Sequence, residues 1–431
     1  MLSVYSVSLG CPKNRVDTEH LIGSLGVDVR PVEAVEDAEL VVINTCGFIM
    51  PAVEESVRTI LETVEDIGEM GGKRPFVVVA GCLVGRYGEK ELAPELPEVD
   101  LWLPNQVIED WPHMLAQKLG LPTPLVAGRI LSTGPSYAWL KVSDGCRHNC
   151  SFCTIPMIRG PHRSTDAGIL AREAEGLIDQ GVKEIILVAQ DVTAWGEDIG
   201  AKHGLATLLD ELLPLKGLER LRLMYLYPAG LTENLLKYMR DAGGPLVPYF
   251  DIPTQHAHSD ILSRMGRPFA RDPRKVIDRV RNVFPEAALR TSLIVGFPGE
   301  TEEHYATLTD FVEETRFTHL GVFAYKAEEG TPAADMPDQV DDKVKEWRRD
   351  ALMELQGEIS EEIMEGYLGS RQKILVDAPH EEWPSLYTGR TWFQAPEIDG
   401  MTYVSGPNVK AGEMIEADIV EARTYDLVAL E

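Results

Sequence analysis

The sequence predicts an α/β protein in three parts: an N-terminal Rossmann-like parallel sheet, a central partial (β/α)6 barrel of TIM type and a small antiparallel C-terminal β-barrel. Three observations carry that prediction. A strand, a cysteine and a helix follow one another three times before Asn105, with the cysteines 35 and 36 residues apart. Strand and helix patterns then alternate through six further units. After the long helical run Asp341 to Gly366, short apolar segments divided by Gly, Pro and Asp replace the alternation. A chain of 431 residues has room for two to three domains, each with its own core. The boundaries are expected at 1–118, 132–364 and 366–431.

In the first domain, Leu2 to Cys11 reads as a strand followed by a helix over Val16 to Leu25. Glu39 to Cys46 precedes a helix over Ala52 to Ile67, and Arg74 to Cys82 precedes one over Tyr87 to Leu96. Apolar strands of this kind belong to a parallel sheet covered on both faces, and the loops after them gather along one edge. Cys11, Cys46 and Cys82 are therefore expected to converge. A single cysteine after a strand is ordinarily a small buried apolar residue. Three at matching positions read instead as three thiolate ligands of one iron–sulfur cube.

A stretch rich in proline and glycine, Leu121 to Pro124 through Gly134 and Pro135, marks the first boundary. Beyond it the strand Tyr137 to Val142 runs into Ser143-Asp144-Gly145-Cys146-Arg147-His148-Asn149-Cys150-Ser151-Phe152-Cys153. Three cysteines spaced C-x-x-x-C-x-x-C can wrap a second cube and leave its fourth iron without a protein ligand. An open iron is where the chemistry of such a centre takes place. The same thiolates with His148 or His162 could instead close a Cys3His zinc site.

Five more strands follow at Lys183 to Ala189, Arg220 to Tyr225, Tyr249 to Ile252, Ala288 to Val295 and His319 to Ala324. Active sites of parallel barrels lie at the C-terminal ends of the strands. Those ends carry Gln190, Asp191 and Thr193, then Tyr225 and Tyr227, then Asp251 to His256 with Gln255, then Gly296, Pro298, Gly299 and Glu300. The glycines and proline of the last group suit close approach of a backbone to an adenine or ribose. The same string also reads as turn chemistry ending in a helix cap. His256 by itself reads as a satisfied core or loop histidine.

Charge bears on partners. With 41 basic and 69 acidic residues the formal charge is −28, which reads either as a surface that repels phosphates and attracts basic proteins or as acidity that serves solubility alone. No signal peptide opens the sequence and no apolar run approaches the length of a membrane span, which together read as a soluble cytoplasmic protein. All six cysteines belong to the two three-cysteine groups, and a reducing compartment suits iron ligation better than disulfides.

The Cys146/Cys150/Cys153 loop resembles that of the radical S-adenosylmethionine enzymes, in which the open iron chelates the methionine moiety and an electron from the cluster cleaves the sulfonium. With Cys11, Cys46 and Cys82 ahead of it and a small β-rich tail behind, the whole chain is similar to the methylthiotransferases, which replace C–H by C–S–CH3. The resemblance implies two 4Fe-4S clusters, with Cys11, Cys46, Cys82, Cys146, Cys150 and Cys153 as metal ligands and the last three catalytic. It implies S-adenosylmethionine as both radical source and methyl donor, with Gly296 in the adenosine contact and Gln190, Asp191, Gln255, Pro298, Gly299 and Glu300 beside it. An electron donor such as a flavodoxin or ferredoxin is implied too, with a sulfur source that the sequence leaves unnamed.

Within the methylthiotransferases, Asp251-Ile-Pro-Thr-Gln-His256 with Ser259, Leu262 and Met265-Gly-Arg267 resembles the RimO group, which modifies the β-carbon of an aspartate in the twelfth protein of the small ribosomal subunit. A second group modifies isopentenylated adenosine in transfer RNA, and the string typical of it is missing here. Thr254 and Ala257 depart from the commonest RimO residues. The tail resembles a TRAM domain, a module associated with RNA. Its acids, among them Asp377, Glu413, Glu416 and Asp418, outnumber bases such as Arg371, Lys373 and Arg390, which suits a basic ribosomal protein better than RNA. A reading from another class, a zinc-containing RNA-binding protein without catalysis, stays open at this point.

Overall fold

A computed structural model describes residues 1–122, 128–267 and 272–431. Residues 123–127 of the expected proline-rich boundary lie outside the described residues. The chain divides into two compact units: Met1–Ser132 with Asp144–His162 and Glu328–Thr331, and Thr133–Ser143 with Arg163–Ala327 and Pro332–Glu431.

The first unit is built on five parallel strands, β1 (Leu2–Ser8), β2 (Val29–Pro31), β3 (Leu40–Thr45), β4 (Phe76–Gly81) and β5 (Leu101–Pro104), in the order β2-β1-β3-β4-β5. Successive side chains of a strand point to opposite faces. Val41, Ile43, Val77 and Val79 accordingly share a core with Val53, Ile60 and Ile67 of the helix Met50–Glu69, while Leu40, Val42 and Val78 pack with Leu21, Ile22, Trp111 and Leu115. Helical cover on both faces explains why β3 and β4 read as unbroken apolar runs.

Two strands of this sheet, β2 and β5, escape the threefold repeat. The three-residue β2 ends in Pro31 and lies at the edge, the one place in a sheet where a missing N–H is tolerated. The third helix also differs from expectation. It begins at Cys82 itself and ends at Tyr87 instead of running from Tyr87 to Leu96, because Gly81, at φ 98°, turns the chain directly from strand to helix. Glu89–Leu92 forms a separate short helix.

In the second unit the six expected core strands are Tyr137–Lys141, Glu184–Val188, Arg220–Leu223, Tyr249–Asp251, Ala288–Val295 and His319–Ala324. The first three form one parallel sheet in chain order and the last three another, and an isolated bridge pairs Leu221 with Leu246, just ahead of the strand Tyr249–Asp251. The helices Ala167–Asp179, Leu205–Leu212, Glu233–Ala242, Pro273–Val283 and Glu302–Thr315 separate the strands, so every strand ends at the same rim.

The helix Asp342–Glu365 leads to a closed five-stranded barrel of Arg371–Pro379, Leu386–Arg390, Thr402–Ser405, Met414–Ala422 and Leu427–Leu430. Most of its pairs are antiparallel, but it closes through a parallel pairing of Thr402–Ser405 with Leu427–Leu430. A buried charge network joins this barrel to the core strands. Glu184 accepts from Arg222 at 2.7 Å and from Arg390 at 2.6 Å, and Arg220 donates to the Arg390 carbonyl at 2.8 Å.

Candidate active site

The three strand-end cysteines of the first unit do come together. A Cβ on Gly10 would stand 2.7 Å from Cys46 Cβ and 2.8 Å from its sulfur, and one on Gly47 would stand 2.7 Å from the Cys82 carbonyl oxygen. Glycine at these two places lets the strand ends approach closely enough to share one centre. Asn14, one turn into the helix after Cys11, faces Cys82: its Oδ1 lies 3.7 Å from the Cys82 sulfur. The Asn14 amide nitrogen donates to Leu9 O and Thr45 O, both at 2.9 Å, and so braces the ends of β1 and β3 together.

Burial pushes the Cys82 thiol up to about 12, and the neighbouring Cys11 and Cys46 push the same way while Arg159 pulls it down. Cys46 is raised for the same first reason, burial. Three sulfurs that repel one another as thiolates, two of them buried, need a cation among them. Cys11, Cys46 and Cys82 are free thiols, and this donor set fits an iron–sulfur cluster with three protein ligands.

The same compact unit contains the second group. In the Cys146 to Cys153 loop the Cys146 N–H donates to Gly160 O at 3.2 Å, and the Cys153 N–H donates to Cys150 O at 3.1 Å. All three cysteines are partly exposed, as an open coordination position requires. The loop leads into the helix Ile155–Arg159, whose last residue crosses to the sheet edge. Arg159 is 1 % exposed and donates to Asn14 Oδ1 at 2.6 Å, to Asp17 at 3.2 Å and to both oxygens of Asp144 at 2.9 and 3.0 Å. Thr154 adds a hydrogen bond to Phe48 O at 2.8 Å. From farther along the chain Glu328 accepts from Arg86 and from the Met50 N–H, each at 2.9 Å.

The remaining expected residues lie at strand ends of the second unit. Both amide atoms of Gln190 are shielded from solvent and have no hydrogen-bond partner among the described residues. Asp191 caps a short turn, accepting from Thr193 Oγ1 at 2.5 Å and the Ala194 N–H at 3.2 Å. Gln255 adopts φ 71° and exchanges backbone hydrogen bonds with Ser292 and Ile294, which locks it beside the fifth core strand.

A Cβ on Gly296 would collide with the Lys345 side chain, and one on Gly299 with the Arg264 guanidinium. Protein atoms thus fill the space that the glycines leave. Pro298 offers its carbonyl to Arg264 at 3.4 Å. Glu300 accepts from Gly296 N at 3.0 Å and Arg348 at 2.7 Å, with His256 Nε2 at 3.3 Å. Burial pulls the Glu300 carboxyl up, but these partners outweigh it and hold it below its usual range. His256 is fully buried and its Nδ1 accepts from the His258 N–H, while its Nε2 meets Glu300 without hydrogen-bond geometry, so the ring is only half satisfied.

Comparison with known proteins adds identity to this geometry. Residues 140–312 match the radical SAM superfamily, residues 3–104 the uncharacterized protein family UPF0004, and residues 368–430 the TRAM domain. The ribosomal protein uS12 methylthiotransferase RimO of Nitratidesulfovibrio vulgaris strain DP4 is 75% identical over 430 residues, covering 100% of both chains. The RimO of Oleidesulfovibrio alaskensis is 69% identical over the same length, again covering 100% of each chain. The chain belongs to the RimO methylthiotransferase family.

Among solved structures, the radical S-adenosylmethionine methyltransferase TsrM from Kitasatospora setae aligns over 90% of this chain and 78% of that one, at 15% identity and a TM-score of 0.57, a likeness of fold. Membership in the radical SAM superfamily carries with it a 4Fe-4S cluster and S-adenosylmethionine. No helix among the described residues is long and apolar enough to cross a membrane.

For a RimO-family chain, the residues that sequence patterns left unremarked are the ones that join the two cysteine groups. Arg159, Asn14 and Asp17 show no periodicity that would set them apart. Arg159 had one signal, a cation six residues beyond Cys153, where anionic thiolates would seek one.

Proposed function

We propose that the protein methylthiolates the β-carbon of an aspartate in ribosomal protein uS12, using two 4Fe-4S clusters and S-adenosylmethionine as both radical source and methyl donor. The observation that carries this reading is that three strand-end cysteines converge in the same compact unit that holds the C-x-x-x-C-x-x-C loop, with Arg159 bonded to Asn14 beside the first group and to Asp144 ahead of the second. Cys146, Cys150 and Cys153 would hold the cluster that supplies reductive cleavage of S-adenosylmethionine. Cys11, Cys46 and Cys82 would hold the second, which keeps the sulfur to be transferred.

The chain's own residues supply placement. Arg159 and Asn14 fix the loop to the sheet edge and set the separation between the two thiolate groups. Gln190, Asp191, Gln255, Gly296, Pro298, Gly299 and Glu300 are proposed to line the S-adenosylmethionine position. Gln190 is the strongest of them, because its carboxamide is buried without a partner and a bound cofactor would give it one. Asp191, Pro298, Gly299 and Glu300 act through the backbone they hold.

The basic substrate fits an acidic enzyme, and an electron donor such as a flavodoxin or ferredoxin would complete the system in the cytoplasm. The test is anaerobic reconstitution followed by turnover with purified uS12 and, separately, with isopentenylated transfer RNA. Mass spectrometry should find a methylthiolated aspartate in the protein and no change in the RNA. Modified adenosine with untouched uS12 would overturn the substrate while leaving the chemistry standing. Zinc as the only metal would overturn the chemistry.

A further inference from the structure

The sheet edge that carries the cysteines has a fourth occupant. The last pairs in register are Thr45 with Gly81 between β3 and β4, and Gly81 with Pro104 between β4 and β5. One residue farther on, the row reads Cys46, Cys82, Asn105. Cys46, Cys82 and Asn105 are thus the first residues beyond three neighbouring strand ends of one sheet.

Asn105 is 1 % exposed, and neither its Oδ1 nor its Nδ2 has a hydrogen-bond partner among the described residues. Its neighbours on this edge are better supplied. Asn14 uses both of its polar atoms, and Asn44 donates from its Nδ2 to Asn14 O at 2.8 Å and to Thr18 at 3.0 Å. The backbone around Asn105 is pinned on both sides. Trp111 Nε1 donates to Pro104 O at 2.9 Å, and Gln106 Nε2 donates to Gly85 O at 2.9 Å and to Met157 O at 3.4 Å.

The Asn105 carboxamide therefore cannot relax toward solvent without breaking a framed turn. A Cβ on Gly85 would stand 3.2 Å from Asn105 Oδ1 and 3.0 Å from Ile158 O, so the amide lies between the helix that starts at Cys82 and the helix that follows the Cys146 loop. A buried amide left unpaired costs about 1–3 kcal/mol, a cost that leucine would not incur at this place.

We propose that Asn105 is the fourth strand-end residue of the Cys11/Cys46/Cys82 centre and that its carboxamide hydrogen-bonds a small sulfur anion, a hydrosulfide or a thiolate, held there. The proposal rests on the reading that these cysteines hold a cluster. Its chemistry follows from the inventory: Nδ2 offers two N–H donors, and sulfur carrying negative charge accepts them. Such a bond stabilises the more negative, reduced state and raises the reduction potential of the centre. It would also orient the sulfur, making Asn105 a positioning residue for the transfer.

The test uses full-length protein carrying C146A, C150A and C153A, so that the first-domain centre alone is loaded, compared with the same protein carrying N105L or N105D. Sodium sulfide is the probe. With N105L, the iron content should stay at about four per chain, the midpoint potential should fall, and sulfide affinity read from the electron paramagnetic resonance signal should drop about tenfold. N105D should lower the potential further, since a carboxylate repels the anionic centre. Metal-free N105L should melt no lower than its parent, because it loses an unpaired amide. Unchanged potential and sulfide affinity would overturn the proposal, and so would a lower melting temperature of the metal-free variant. No iron in the parental background would instead overturn the cluster reading itself.

Discussion

Arg159 donates to Asn14 Oδ1 at 2.6 Å, and through that one bond the loop that bears Cys146, Cys150 and Cys153 is tied to the helix that follows Cys11. Asn14 Oδ1 also faces the Cys82 sulfur, so a single carboxamide oxygen touches a cysteine of the first group and the arginine that follows the second. Burial works against the Arg159 charge, but Asp144, Cys82 and Asp17 more than compensate and keep it protonated.

Replacing Arg159 with Met should take the guanidinium from Asp17 and Asp144, whose side chains are 1% and 11% exposed. Loss of one partner from a buried ion pair costs about 3–5 kcal/mol. Urea unfolding of metal-free protein should register a loss of that order, with a smaller loss for Arg159→Lys, which keeps the charge without the fork. Equal stability of the Met variant and the parent would contradict the buried geometry.

Cys150→Ala should abolish formation of 5′-deoxyadenosine, because two thiolates cannot hold the cube. Iron should fall from about eight to about four per chain on reconstitution. Nucleoside product at the parental rate would refute the assignment of the radical cluster.

Cys46→Ala should part the two activities. Cleavage of S-adenosylmethionine should persist while methylthiolated uS12 disappears from the mass spectrum. Product at the parental rate would leave Cys46 a packing residue.

Acid should loosen the second unit through Glu184. Burial raises this carboxyl, but Arg222, Arg390 and Arg220 overcome it and bring it to about 2 from its ordinary 4.5. The unfolded chain therefore binds a proton near 4.5 that the folded chain refuses until about 2, and stability falls as pH drops through that window. Unfolding followed at a series of pH values should show this decline, and Glu184→Gln should make it shallower while lowering stability at neutral pH, where three arginines lose their anion. An identical acid limb in the two proteins would contradict the assignment.

Binding of uS12 should weaken as salt rises, since steering between an acidic and a basic surface is screened over about 10 Å at 0.1 M ionic strength. Glu413, Glu416 and Asp418 are exposed on the C-terminal barrel, and Arg371 offsets part of the charge by pairing with the last two at 3.3 and 3.5 Å. Reversing the three charges should slow association in a stopped-flow measurement. Salt-independent association would remove the electrostatic argument for the substrate.

Much of this molecule is legible in its sequence because its signals are local and periodic. Six cysteines at fixed distances, apolar strands before them and turn residues at strand ends are all read within a few residues of one another, and they predict the sheet, the partial barrel and both thiolate groups. The edge strand Val29–Pro31 was out of reach for the opposite reason, since three residues are too few to carry a period. The glycines at 296 and 299 suggest close approach of something, and only the fold identifies Lys345 and Arg264 as what approaches.

The sequence by itself determined the fold class, the two cysteine groups and the family, because strand period, cysteine spacing and turn chemistry are written in neighbouring positions. Only the tertiary structure decided which polar side chains serve the cysteine groups. Arg159 meets Asn14 from 145 residues away, and Asn105 joins the cysteine row through the register of β5 on β4. A buried polar group takes its meaning from partners that burial brings to it, and partners so distant in the chain leave no periodic trace in the sequence.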